Sequence, residues 1–268
     1  MSFLRQYLIA LQFFTRMPVA GALAQWTGFS PDVLRASAAH FPGVGWLVGL
    51  LACTVFALLG LALPDSPFAP LVAGVGCTIA TIWLTGGSHE DGLAAVADGL
   101  GGSAGRLEAL EIMKDSRLGT YGGLALATAL LAKVSLLAVL AAHSPTAVLA
   151  ALLGAHVVSR FWPLVLVRTM TYIGEATAAN GKPLADRIDS RALGIAGAWC
   201  VLPLAVALLV QGLAFAMIAL LFSGLVLLWM RRLFVRRLEG FNGDCLGAAQ
   251  QACELAFYLG AAVALRVA

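Results

Sequence analysis

Charge is what this sequence has least of. Only 12% of its 268 residues are Asp, Glu, Lys or Arg, against about 25% in an ordinary soluble domain. So few charges cannot coat a water-facing surface around a chain that is 60% hydrophobic. A soluble globular enzyme is excluded, and so is a disordered chain. The net charge of +3 is too small to argue for a nucleic-acid partner. Cysteine is also scarce: the five residues Cys53, Cys77, Cys200, Cys245 and Cys253 show no C-x-x-C pair and no zinc spacing. They read as small buried side chains rather than a disulfide or metal framework.

What is abundant is long uncharged sequence. A membrane-spanning helix needs about 20 mainly apolar residues. Residues 43–63 and 67–87 carry no charge, 120–142 carry Lys133, and 146–167 carry His156 and Arg160. No charge occurs from Ala192 to Met230, room for two helices with a turn near Gln211 and Gly212. Residues 246–265, containing Glu254, form a last and weaker span. The expectation is an all-α polytopic helical bundle of about seven transmembrane helices, forming one membrane-embedded domain over 1–268. The start imitates a signal peptide, with Arg5, an apolar stretch at 7–14 and Ala22–Ala24, but Arg16 and Pro18 interrupt it. An N-terminal interfacial or re-entrant helix is expected there.

Fourteen of the seventeen cations fall in the leading segment and in the loops 88–118, 168–191 and 231–244. The positive-inside rule puts these segments, and the N-terminus, in the cytoplasm. Twelve of the fourteen acidic residues share that side, which the rule does not require. Acids crowded at an already negative surface need separation or a cation.

Three segments there carry candidate chemistry. In GGSHEDGLAAVADGLGG (Gly86–Gly102), Asp91 and Asp98 are seven apart and share a helix face. Oxygen ligands of this kind suit Mg²⁺ with substrate phosphates and water; a solvated helix with glycine breaks fits the spacing equally. In EIMKDSRLGTYGG (Glu111–Gly123), Lys114 and Arg117 flank Asp115 and lead into Gly119, Gly122 and Gly123. They suit phosphate oxygens, through side chains and backbone N–H groups, or form a basic cap with glycines for helix packing. In EGFNGDCLGAAQQACE (Glu239–Glu254), Asp244 opens the last span and Glu254 follows ten residues later on nearly the same face. A carboxylate within a span faces a polar interior, and Gln250, one turn before it, supports that. Arg160, four after His156, either snorkels or points at an anionic substrate. Lys133 should face the bundle, His40 sits at the cytoplasmic edge, and His143 lies in an outer turn.

With these residues in place, the sequence resembles the cobalamin synthase family, the adenosylcobinamide-GDP ribazoletransferases. The resemblance runs from FFTRMPV (Phe13–Val19) and FPGVGWLVG (from Phe41) through the two middle motifs to NGDCLGA and Glu254. It implies an inner-membrane enzyme that joins adenosylcobinamide-GDP to α-ribazole or its 5′-phosphate, releasing GMP, with Mg²⁺ required. It also implies roles. Asp91 and Asp98 take the metal, with Asp115, Asp244 and Glu254 as further ligands. Lys114, Arg117, Asn242 and Arg160 contact substrate, and either His89 or a carboxylate serves as general base. A homo-oligomer and other corrin-pathway enzymes are candidate partners alongside the bilayer. The family pattern H-x-D-G-L-A-D-x-x-D-G is matched except at Ala95, where it has Asp. Two rival readings are weighed against this. A CDP-alcohol phosphotransferase-like enzyme would need a D-G-x-x-A-R signature that is absent. A transporter would spread functional charges over both faces, whereas here they cluster on one.

Overall fold

The structure, a computed structural model, describes residues 3–18, 20–27, 31–174 and 187–266. Val19 and Lys182 lie outside the described residues. Helices follow in the order α1 (Phe3–Phe14), α2 (Ala22–Thr27), α3 (Pro31–Ser37), a 3₁₀ turn (Ala38–His40), α4 (Phe41–Ala62), α5 (Ala69–Thr85), α6 (Ser88–Gly102) and α7 (Arg106–Lys114). Then come α8 (Thr120–His143), α9 (Pro145–Thr169), α10 (Ser190–Gln211), α11 (Leu213–Leu238) and α12 (Gly243–Ala264). Among the described residues the sole β feature is an isolated bridge, Tyr172 to Phe241. The chain is an all-α membrane protein.

Helix boundaries follow local chemistry. Ser144 accepts the Ala147 N–H and Pro145 opens α9. Asp189 accepts the Ala192 N–H at the start of α10, and Asn242 accepts the Cys245 N–H at the start of α12. Each satisfies a donor that the helix leaves unpaired.

Length and hydropathy taken alone single out fewer than seven spans. Among the described residues five helical stretches are long and apolar enough to cross a membrane: Val33–Ala62, Thr120–His143, Pro145–Thr169, Ser190–Gln211 and Leu213–Leu238. Residues 67–87 do not qualify alone. The helix there, α5, continues into α6 through a 92° bend, and only the pair makes a sixth. The bend is made by Gly86 and Gly87, both left-handed with φ of 75° and 73°, a conformation only glycine adopts cheaply. The stretch expected at 246–265 does form the long helix α12, but Gln250, Gln251 and Glu254 make it less apolar than the five. It can afford them because it packs against α6, α8, α9 and α11 at the bundle's centre. The first helix, at 12 residues, is about 18 Å long, too short to span. Its Phe3, Leu4 and Phe13 are exposed.

Long-range bonds gather one set of helix ends. The Arg106 Nε donates to the Leu238 carbonyl at 2.7 Å, and Arg237 donates to the carbonyls of Leu100 and Ser103 at 3.2 and 2.7 Å. These cations close the C-terminal ends of α11 and α6, the geometry the helix dipole favours. The Ile173 N–H donates to the Phe241 carbonyl and the Phe241 N–H to that of Thr171, so the loop before α12 is pinned to the segment after α9.

Candidate active site

The site begins where α6 crosses the first turns of α8 and α12. A Cβ on Gly92 would meet the Asp244 carbonyl oxygen at 2.8 Å, and one on Gly247 would lie 3.3 Å from His89 and Ser88. Glycine at both positions therefore lets α6 and α12 touch through their backbones. This contact brings together Asp91, which is exposed, and Asp244, which is half-buried. Burial acts most strongly on the Asp244 carboxyl, which accepts the Asn242 amide at 3.0 Å, and the nearby charge of Asp91 adds a smaller effect.

Asp98 has a different environment. It is buried, and its two oxygens accept the backbone N–H groups of Gly119 at 2.8 Å and Gly122 at 2.7 Å. The carboxylate thus caps the N-terminus of α8, where the dipole favours negative charge. A Cβ on either glycine would collide with it. Of the two sequence readings of Gly119 and Gly122, phosphate holding or close helix packing, their amides fit the second, being directed at Asp98.

Asp115 and Arg117 form an exposed pair, with the Arg117 Nε 3.0 Å from both carboxylate oxygens. Hydrogen bonding from that guanidinium holds the Asp115 carboxyl down at about 2. Lys114 ends α7 beside them and is exposed.

Glu254 belongs to a separate, interior cluster. It pairs with Lys133 at 2.7 Å and lies 3.3 Å from His156 Nδ1. It also accepts the Gln250 amide at 2.8 Å and the Tyr258 hydroxyl at 3.3 Å. Gln250 donates further to Ser159, and Gln251 donates to Gln250 and Glu90. Arg160 is 2% exposed and donates to the His156 carbonyl at 2.7 Å, so it does not snorkel. Lys133 faces the bundle as expected.

The sequence-derived ligand set is therefore dispersed. Among the described residues no three His, Cys, Asp or Glu side chains are arranged to hold a metal ion. Asp91 and Asp244 come together, Asp98 turns to α8, Asp115 to Arg117 and Glu254 to Lys133. Sequence reading missed Ser159, Gln251 and Tyr258. Tyr258, one turn after Glu254, was the available signal.

His89 is buried in the wall of a cavity of about 370 Å³. Its ring stacks on Phe41 at 5.7 Å and 5°, and Phe14 stacks on Phe41 at 4.0 Å. Arg160 lies 5.8 Å from the same Phe41 ring.

A helical membrane bundle with acids gathered where α6 meets α12 and a closed ionic interior is the class of protein that the fold and site define. The chain belongs to the family described as cobalamin-5-phosphate synthase, which it matches over residues 6–262. It is 54% identical to the adenosylcobinamide-GDP ribazoletransferase of Polaromonas naphthalenivorans, covering 99% of this chain and all of that protein. It is 52% identical to that of Albidiferax ferrireducens and 42% identical to that of Shewanella amazonensis, covering 98% and 96% of this chain. No solved structure matches.

Proposed function

We propose that the chain transfers the cobinamide-phosphoryl group of adenosylcobinamide-GDP to α-ribazole or α-ribazole 5′-phosphate. The products are adenosylcobalamin, or its 5′-phosphate, and GMP. The observation that carries this reading is the family match over residues 6–262, in a chain whose α6 and α12 cross with Asp91 and Asp244 beside the crossing. Two carboxylates brought to one helix crossing offer oxygen ligands of the kind a divalent cation takes. Mg²⁺ binds through one or two carboxylates plus phosphates and water, so a two-acid site fits it. Held by Asp91 and Asp244, Mg²⁺ would neutralise charge on the diphosphate.

The chain's own residues supply the rest. Lys114 and Arg117 hold diphosphate oxygens from the α7–α8 loop. His89 takes the proton from the attacking ribazole hydroxyl, its ring plane fixed against Phe41. The hydroxyl oxygen bonds to the phosphorus attached to cobinamide, the bond from that phosphorus to the bridging oxygen breaks, and GMP leaves. Asp98 fixes α6 against α8, which keeps Asp91 in register with Asp244.

The site faces the cytoplasm of a bacterium from its inner membrane. The cation-rich segments support this orientation, as does the solubility of the nucleotide substrates. The test is GMP release from adenosylcobinamide-GDP with α-ribazole and Mg²⁺ in liposomes. Wild-type protein that inserts but releases no GMP refutes the reading.

A further inference from the structure

We propose that the 370 Å³ cavity beside His89 is the subsite for the aromatic base of the attacking nucleoside. The inference rests on the ribazole-transfer reading and names which substrate part goes where.

Position is the first argument. The cavity touches Ser88 and His89 at the start of α6, and Gly243 and Gly247 at the start of α12. It therefore adjoins Asp91 and Asp244 without containing them. A ring seated there places its attached ribose toward the acid pair.

Size is the second. Ligand cavities run about 300–1,000 Å³. This one is at the small end, right for a two-ring base and its sugar and far too small for a corrin.

Chemistry is the third. The walls include Phe13, Phe14, Phe41, Leu164 and Leu246, and polar groups are few. The stack of Phe14, Phe41 and His89 shows that flat rings pack well on this wall. The base of α-ribazole is a dimethylbenzimidazole, with one free ring nitrogen and no exocyclic polar group. It loses little on entering such walls. Guanine carries several exocyclic donors and acceptors, and each one left unpaired would be costly. The cavity therefore selects the nucleoside acceptor over the guanine of the donor.

Gly243 gives a clean test, because it is exposed and a Cβ there meets nothing within 4 Å. Gly243→Leu adds a side chain at the cavity wall, and its Cβ displaces no protein. The expected result is a KM for α-ribazole raised about two- to tenfold, the scale of losing one good ring contact, with the KM for adenosylcobinamide-GDP unchanged. Phe13→Ala, at another exposed wall residue, should raise the same KM alone. As a direct readout, an azidobenzimidazole riboside should label residues of this wall in wild-type protein, and α-ribazole but not GDP should block it. If wild-type protein turns over while both variants leave the α-ribazole KM unchanged, the subsite is refuted and the activity stands. Label elsewhere, or label blocked by phospholipid alone, also overturns it. Wild-type protein with no turnover removes the ribazole reading and this inference with it.

Discussion

The Lys133 ammonium and the Glu254 carboxylate meet at 2.7 Å in the bundle interior, with side chains 4% and 2% exposed. The pair ties α8 to α12 where no water can replace either partner. Removing one partner of a buried pair costs about 3–5 kcal/mol, because the other charge is left uncompensated. Glu254→Ala should therefore lower the detergent-solubilised Tm sharply. Adding Lys133→Met to that variant should restore more than half of the loss. A double variant no more stable than the single would show that the pair is not what joins these helices.

Asp98 and Asp91 should separate by phenotype. Asp98 holds the start of α8 through two amides, and hydrogen bonds to a charged group contribute about 1.5–3 kcal/mol each. Asp98→Ala should lower Tm equally with and without Mg²⁺. Asp91→Ala, at an exposed position, should leave the Mg²⁺-free Tm unchanged and abolish GMP release. Equal Tm losses in the two variants would contradict the division of labour.

Lys114→Ala and Arg117→Ala should each reduce kcat/KM for adenosylcobinamide-GDP about ten- to a hundredfold, the loss of one charged hydrogen bond. Insertion into the membrane should be normal. Near-normal kinetics in both would return the two residues to a basic helix cap.

Ala95 lies one turn after Asp91 on α6. A carboxylate there would join the face carrying Asp91 and be within reach of the same ion. Ala95→Asp should lower the Mg²⁺ concentration needed for half-maximal GMP release and raise the maximal rate. An unchanged or weaker Mg²⁺ response would place the ion away from this face.

Legibility in the sequence followed the range of the interactions. The apolar runs located α4, α8, α9, α10 and α11 because a membrane imposes length and hydropathy on each helix separately. The right angle after α5 was hidden, since glycine breaks in the Gly86–Gly102 segment carry no mark of the angle they make. Asp98 looked like a partner of Asp91 because both lie on one helix. Its true partners, Gly119 and Gly122, are over twenty residues on, and spacing along one helix carries no trace of them. Glu254 was correctly read as facing a polar interior. Lys133 was correctly turned inward, yet nothing in either span paired the two.

The bend after α5 also settles how far apart in depth the acids lie. On a helix standing across the bilayer, residues seven apart differ in height by about 10 Å, a third of a hydrocarbon core about 30 Å thick. Turned 92° from α5, α6 spreads Asp91 and Asp98 sideways across the bundle's end instead. Glu254, ten residues beyond Asp244 along α12, descends about 15 Å. One kind of element, laid in two directions, sets two environments: Asp91 open to solvent at the start of α6, and a buried ionic clasp between α8 and α12.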